Sequence, residues 1–187
     1  MMSRCELLII GGSAGSLEIL LNILPGLTIK LPFAIVIVLH RKSSINSSLA
    51  ELFASKTNIP VTEVEEKDPI LPSRIYVAPA DYHLMIEADK TFSLDASEKI
   101  NFSRPSIDLT FQTAAEAYRD KLVALLLSGA NTDGTEGLSQ VRQFGGITAV
   151  QDPEDARVPL MPQTAIKAMK IDHILKNSNI ASFINEL

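Results

Sequence analysis

The sequence predicts an α/β fold, a doubly wound and mostly parallel sheet flanked by helices on both faces, with an appended β-hairpin. Short apolar runs that end at turn residues alternate with segments whose apolar residues recur at helical spacing. Uninterrupted apolar runs are typical of strands buried on both faces, and their alternation with helices is typical of parallel sheets. The chain has 187 residues, of which 46% are hydrophobic, enough for one domain with a packed core.

Five apolar runs are predicted as the strands of this sheet. Each is bounded by glycine, proline, serine or histidine, and together they cover residues 7–10, 33–39, 75–78, 122–127 and 147–150. Five intervening segments are predicted as helices because their apolar residues share one helical face. These segments are residues 16–24, 47–57, 106–121, 134–144 and 162–169. Residues 81–97 form two extended stretches around Ala88-Asp89-Lys90 and predict the hairpin.

The composition of the chain argues against several classes of protein, beginning with nucleic-acid binders. The net charge is −5, whereas nucleic-acid binders usually carry a basic face, so we expect no nucleic-acid partner. Cys5 is the single cysteine, which excludes an intramolecular disulfide and favours an intracellular protein. No apolar run approaches the ~20 residues that span a bilayer, so we expect a cytoplasmic protein without membrane insertion.

Three polar residues follow predicted strands where ligand sites of open α/β sheets form. Ser13 comes after the first strand, His40 directly after the second, and Asp133 shortly after the fourth. Serine, histidine and aspartate are the members of a nucleophilic triad. Each also has a simpler interpretation: Ser13 or Ser16 could cap the following helix, Asp133 could cap its own, and His40 could be a loop residue.

The glycine-rich segment around Ser13 is compatible with phosphate binding or with a nucleophile turn. Gly11, Gly12 and Gly15 do not complete the dinucleotide fingerprint, and the lysine of a P-loop is missing. Small residues on both sides of Ser13 favour a sharp strand-to-helix turn that exposes the hydroxyl. The chain order Ser, His, Asp differs from the order Ser, Asp, His of ordinary α/β-hydrolases.

Separated motifs in one order make the sequence resemble a known family. They are "IGGSAGSLE" (10–18), "VIVLHR" (36–41), "YVAPADYHL" (76–84), "FSRPSIDLTF" (102–111), "LLLSGANTDGTEGL" (125–138) and "AVQDPEDARVPLMPQTAI" (149–166). In these stretches the chain resembles the catalytic domain of the chemotaxis protein-glutamate methylesterase family (CheB-type). The likeness covers residues 7–169.

The resemblance implies a serine hydrolase that removes methyl esters from receptor glutamates, and the family is also associated with glutamine deamidation. It implies Ser13 as nucleophile, His40 as base and Asp133 as its acidic partner, with no metal or organic cofactor. We further expect the oxyanion and the cleft to involve four residues near these three, namely Ala14, Ala130, Asn131 and Met161. Arg104 is expected to pair with substrate carboxylates, with a loop salt bridge or a contact to Asp108 as its alternatives.

Several features depart from the family pattern. Ser16, Ala130 and Leu39 stand where members commonly have other residues, which affects substrate fit more than reaction class. Typical members also carry an N-terminal receiver domain, whereas we expect residues 1–187 to form a single catalytic domain without one. The expected partner is a methylated receptor or another signalling protein. Two rival functions stay open, a non-catalytic binding module that retains the fold and a Rossmann-type nucleotide-binding protein.

Overall fold

The structure is a computed structural model that describes residues 5–41 and 48–187. Its nine strands are β1 Leu7–Gly12, β2 Ala34–Leu39, β3 Val61–Glu63, β4 Ile75–Val77, β5 His83–Ile86, β6 Phe92–Asp95, β7 Leu122–Leu126, β8 Ile147–Gln151 and β9 His173–Leu175. The helices described are α1 Ser16–Ile23, α2 Leu49–Ala54, α3 Ile107–Tyr118, α4 Thr135–Gln143, α5 Leu160–Ala168 and α6 Ile180–Asn185. The predicted alternation of strands and helices is therefore confirmed.

Seven strands form one sheet in the order β3-β4-β2-β1-β7-β8-β9, and all of its pairings are parallel. Strand β1 lies in the centre, and the order runs outward from it to β2 on one side and to β7 on the other. Such a reversal of strand order opens a crevice at the carboxyl ends of the strands, where open α/β folds bind ligands.

Alternation along the central strands divides the core into two layers. In β1, Leu8 and Ile10 pack in the layer that contains α1, α2 and α6. Leu7 and Ile9 point the other way, into the layer formed with α3, α4 and α5. Because successive side chains of a strand face opposite sides of the sheet, an uninterrupted apolar run is what burial between two helical layers requires.

The predicted β-hairpin is confirmed, and the structure shows how it is attached. Strands β5 and β6 pair antiparallel in a separate two-stranded sheet. Leu84, Ile86 and Phe92 are buried in the same layer as α3. The hairpin thus covers α3 through side-chain packing rather than through backbone hydrogen bonds to the main sheet.

Short elements account for the other differences from the prediction. Strands β3 and β9 have three residues each, and most of their residues are not buried, so they give no apolar run. Helix α2 begins after Ser48, whose side chain accepts a hydrogen bond from Glu51 N, and residue 47 lies outside the described residues. Among the residues described, no helix combines the length and the apolar character that crossing a bilayer requires.

Candidate active site

The turn that follows β1 presents Ser13 at the carboxyl edge of the sheet. Its amide donates to Ser128 O (2.9 Å), which ties the turn to the segment after β7. Ser16 reinforces this connection, because its hydroxyl donates to Ser128 O (2.6 Å) and accepts from Ser13 N (3.2 Å). The interpretation of Ser13 or Ser16 as the cap of α1 is not supported, since Gly15 occupies that position and no side chain caps the helix.

Close packing explains why glycines stand at position 12, in the turn after β1, and at position 129, in the segment after β7. A Cβ on Gly12 would lie 2.2 Å from Ser16 Oγ, so the Ser16 hydroxyl can reach Ser128 only past a glycine. A Cβ on Gly129 would lie 2.5 Å from Met161 Cε and 3.0 Å from Ser13 Cβ. The distances of 2.2 and 2.5 Å are too short for real contacts and the distance of 3.0 Å is unusually tight, so the glycines let the two loops approach each other.

Met161 supports the segment after β7 from within the hydrophobic core. Its side chain is completely buried, and its amide donates to Gly129 O (3.1 Å). Met161 was predicted to belong to the cleft, and the structure places its side chain in the core, next to Gly129. Its apolar volume restrains the position of the loop that carries Ala130.

His40 and Asp133 are in direct contact. His40 follows β2, and its amide donates to Gly12 O (3.1 Å), which places it next to the turn that carries Ser13. The distance between His40 Nε2 and Asp133 Oδ2 is 2.7 Å. The His40 side chain retains 13% of its exposure and the Asp133 side chain 0%, so this contact is shielded from water on the aspartate side.

Asp133 is held by amides at the start of α3. Its carboxylate accepts from Ile107 N (2.7 Å) and Asp108 N (2.9 Å), and Gly134 N donates to it at 3.0 Å. The Ser106 hydroxyl lies 3.3 Å from Oδ1. Asp133 therefore caps α3, the helix that precedes it in the chain, and the expected alternative of a cap for α4 is wrong.

Asp108, in α3, caps the start of α4 in the same way that Asp133 caps the start of α3. Its Oδ1 atom accepts from Gly134 N (2.8 Å) and Gly137 N (2.7 Å) at the start of that helix. The two aspartates thus cap each other's helices, and this exchange fixes the loop that carries Asp133. This role of Asp108 was not predicted, because an aspartate in the first turn of a helix indicates an interaction with its own helix and not with another one.

The two carboxyl groups differ in their affinity for a proton. Burial alone raises the pKa of Asp133, but hydrogen bonds from His40, Asp108 N and Ile107 N outweigh burial and lower it. Burial raises the pKa of Asp108 to about 7; the Gly137 amide opposes this shift and the nearby Asp133 charge adds to it. Because Asp133 accepts the larger number of donors, including the imidazole, Asp133 ionises first, and Asp108 keeps its proton up to about pH 7.

The contact with Asn131 indicates which nitrogen of the His40 imidazole carries the hydrogen. Its Nδ2 lies 3.3 Å from His40 Nδ1, and its Oδ1 accepts from Asp133 N (3.1 Å). An amide NH₂ is a donor, so the neutral imidazole accepts at Nδ1 and carries its hydrogen on Nε2, toward Asp133. The nitrogen that carries the lone pair is therefore Nδ1, which accepts a hydrogen bond from Asn131 in this structure.

The side of the candidate site that carries Ser13 has unpaired polar groups. Within residues 5–41 and 48–187, the Ser13 hydroxyl forms no hydrogen bond, and the amides of Ala14 and Ala130 donate to no protein acceptor. Ala14 and Ala130 are both exposed. Unpaired backbone amides next to a half-buried serine hydroxyl are groups that can stabilise an oxyanion formed at that serine.

Arg104 lies at the rim near His40. Its Nη1 donates to the carbonyls of Ala96 (2.8 Å) and Ser97 (2.6 Å). In the described part of the chain it forms no salt bridge, and the partners of Asp108 are amides, so neither alternative proposed for Arg104 is observed. The described residues also contain no group of three or more side chains with the spacing of metal ligands.

Comparisons with known proteins agree with this geometry. A family model described as CheB methylesterase matches residues 8–184. The crystal structure of the Thermotoga maritima CheB methylesterase catalytic domain is 35% identical in sequence, with a TM-score of 0.93, and the match covers 98% of this chain and 99% of that one. The doubly wound sheet and the hairpin therefore correspond to a known catalytic domain.

Curated relatives show the same similarity over different shares of their length. A protein of Leptospira interrogans is 43% identical over 182 residues, which cover 97% of this chain and 94% of that protein. The protein-glutamate methylesterase/protein-glutamine glutaminase of Thermotoga maritima is 35% identical over 185 residues, which cover 97% of this chain and 54% of that protein. This chain thus corresponds to nearly all of the first protein and to about half of the second.

Proposed function

The chain belongs to the CheB methylesterase family, and we propose that it hydrolyses methyl esters of glutamate side chains in signalling receptors through Ser13, His40 and Asp133. The observation that carries the proposal is the 2.7 Å contact between His40 and Asp133 beside the turn of Ser13. Deamidation of glutamine side chains follows by the same chemistry, with ammonia as the leaving group.

In the proposed first step the Ser13 hydroxyl oxygen attacks the ester carbonyl and its proton passes to His40 Nδ1. Asp133 holds the Nε2–H and stabilises the imidazolium that forms. The hydrogen bond from Asn131 to Nδ1 must lengthen during this transfer, because Nδ1 has only one lone pair. Asn131 is thus assigned to orient the ring before reaction rather than to bind the oxyanion.

The tetrahedral intermediate develops its charge on the former carbonyl oxygen. The unpaired amides of Ala14 and Ala130 are assigned to stabilise it. When the carbon–oxygen bond to the methoxy group breaks, the His40 proton leaves with methanol and an acyl-enzyme forms on Ser13. Water then attacks the acyl carbonyl, again giving a proton to His40, and the cycle ends with a free glutamate side chain and the original hydroxyl.

The test is methanol release from a methylated receptor cytoplasmic fragment. We expect Ser13→Ala to reduce turnover by about 10⁴-fold or more, because triad members act as a unit. Circular dichroism of the variant should match that of the wild-type protein, and a serine-directed phosphonate should label only the wild-type protein. Turnover that survives Ser13→Ala would exclude this mechanism. A wild-type protein that is neither labelled nor active would favour the non-catalytic module.

A further inference from the structure

A cavity of about 410 Å³ opens beside His40 and has an unusual charge for this protein. Among the residues that the structure describes, three cationic side chains line it, namely Arg41, Lys99 and Arg104, against one acidic side chain, Asp81. The whole chain has 17 basic and 22 acidic residues. Positive charge is therefore concentrated at the site where the proposed reaction takes place, against the overall acidity of the chain.

These cations differ in how far they are neutralised within the described residues. Arg41 pairs with Glu63 (2.8 Å), a residue that is about half exposed. Arg104 is fixed by two neutral carbonyl groups, and neither it nor Lys99 forms an ion pair with a carboxylate. A guanidinium held in place by neutral acceptors keeps its full charge and is positioned to bind an incoming anion.

The cavity also has an aromatic residue at its rim. Phe102 is 97% exposed and lines the same cavity. Ser103, next to it, contacts Asn131, whose amide reaches His40, so this wall is connected to the catalytic imidazole. An exposed aromatic side chain beside cations is typical of surfaces that bind another protein.

We propose that this cavity binds carboxylate side chains of the substrate that lie within a few residues of the reacting glutamyl group. The inference rests on the proposed function, because the cavity is assigned to substrate only through its contact with His40. Lys99 and Arg104 supply the charge, and Phe102 packs against an apolar part of the same segment. The protein therefore selects acidic protein segments, and an ester in a neutral segment is a poorer substrate.

Electrostatics sets the size of this preference. A solvent-exposed ion pair contributes up to about 1 kcal/mol, which corresponds to about fivefold in affinity. The Debye length is about 8 Å at physiological ionic strength, so added salt weakens contacts of this kind. We expect an advantage of about fivefold to tenfold for an acidic segment at low salt, and most of it should disappear at high salt.

The experiment uses two synthetic peptides that carry one glutamate γ-methyl ester and differ only in two flanking residues, Glu in one peptide and Gln in the other. Turnover is measured with the wild-type protein, and Kd is measured by fluorescence anisotropy with the Ser13→Ala variant, at about 20 mM and about 500 mM salt. We expect the acidic peptide to have the lower KM and Kd at low salt.

Charge variants assign the preference to the cavity. Lys99→Gln should lower the ratio of acidic to neutral kcat/KM by about twofold to threefold, because Lys99 and Arg104 share the preference. Arg104→Gln should do the same, and Arg104→Lys should restore most of the ratio because it keeps the charge. Lys30→Gln is the matched control: Lys30 is exposed and precedes β2, at the opposite edge of the sheet from His40. It should leave the ratio unchanged.

The outcomes separate this inference from the proposed function. Equal KM and Kd for both peptides, or a ratio that Lys30→Gln and Lys99→Gln lower equally, would overturn the inference and leave the esterase intact. Tighter binding of the acidic peptide without turnover of either would support the cavity as an acidic-segment site and contradict the esterase. Neither turnover nor preference would contradict both.

Discussion

The two halves of the candidate active site, one with Asp133 and one with Ser13, are built in opposite ways. The half that carries Asp133 is buried, and its carboxylate accepts hydrogen bonds from the imidazole and from several amides. In the half that carries Ser13, Ala14 and Ala130 are exposed residues, and their amides are unpaired within the described residues. A buried charge must be satisfied permanently, whereas groups that stabilise a transient oxyanion must be free until substrate arrives.

The largest effect is expected when the carboxylate of Asp133, in the buried half of the site, is replaced. In Asp133→Asn, an NH₂ group would face the donors that now converge on the carboxylate, and the imidazole would be held in the wrong tautomer. We expect kcat to fall by about 10³- to 10⁴-fold and the free energy of unfolding to fall by about 1–3 kcal/mol. Methanol release and urea unfolding measure the two effects. An Asp133→Asn variant with near-normal kcat would show that this contact is not used in catalysis.

The next largest effect is expected when a methyl group is added at Gly129, in the half of the site that carries Ser13. In Gly129→Ala, the new methyl group must displace Met161 and approaches Ser13 at 3.0 Å. We expect the free energy of unfolding to drop by about 1–3 kcal/mol and kcat to drop by about 10-fold or more, since small misplacements of reacting groups are costly. Gly26→Ala is the control because its Cβ would meet only Ala181, at an ordinary 3.4 Å. Equal behaviour of the two variants would contradict the close approach of the loops.

A smaller effect is expected from Ser16, whose hydroxyl connects the turn of Ser13 to the segment after β7. Ser16→Ala removes the hydroxyl that joins Ser13 N to Ser128 O and leaves a buried carbonyl with one partner fewer. We expect a loss of about 1 kcal/mol in the free energy of unfolding and a reduction of kcat by a few fold. Ser139→Ala, on the exposed face of α4, is the matched substitution. If both changes have the same cost, the Ser16 hydroxyl does not support the turn.

The smallest effect concerns pH and the second aspartate. Burial raises the pKa of Asp108 to about 7, so between the ordinary aspartate value and pH 7 the folded protein binds a proton that the unfolded chain has released. Stability from this group is therefore highest at acid pH and falls as pH rises toward 7. Asp108→Asn keeps an acceptor oxygen for Gly134 and Gly137 but does not titrate. We expect its Tm to fall less than that of the wild type between pH 4 and pH 7.

Thermal unfolding across this range measures the difference. The Asp133 carboxyl has a lowered pKa, so its contribution has the opposite sign: it is present above the ordinary aspartate value and is lost as pH falls further. Parallel Tm profiles for the wild-type protein and Asp108→Asn would contradict the assignment of the shared proton to Asp108.

Sequence alone was sufficient for the parts of the fold and site that depend on local pattern. Uninterrupted apolar runs predict the central strands because burial between two helical layers leaves no polar position along them. Ser13, His40 and Asp133 could be selected because the carboxyl ends of parallel strands share one edge. The short strands β3 and β9 lacked such a pattern, since edge strands of three residues bury too little to show one.

Only the tertiary structure decided which partners these residues have. Nothing local in the sequence pairs Asp133 with the amides of α3, places Met161 beneath Gly129, or separates the hairpin from the main sheet. Each of these contacts joins segments far apart in the chain, and its energy depends on distances that periodicity does not encode. The sequence by itself determined the order of the elements and the edge where chemistry can occur, whereas tertiary packing decided which half of the site is closed and which is open.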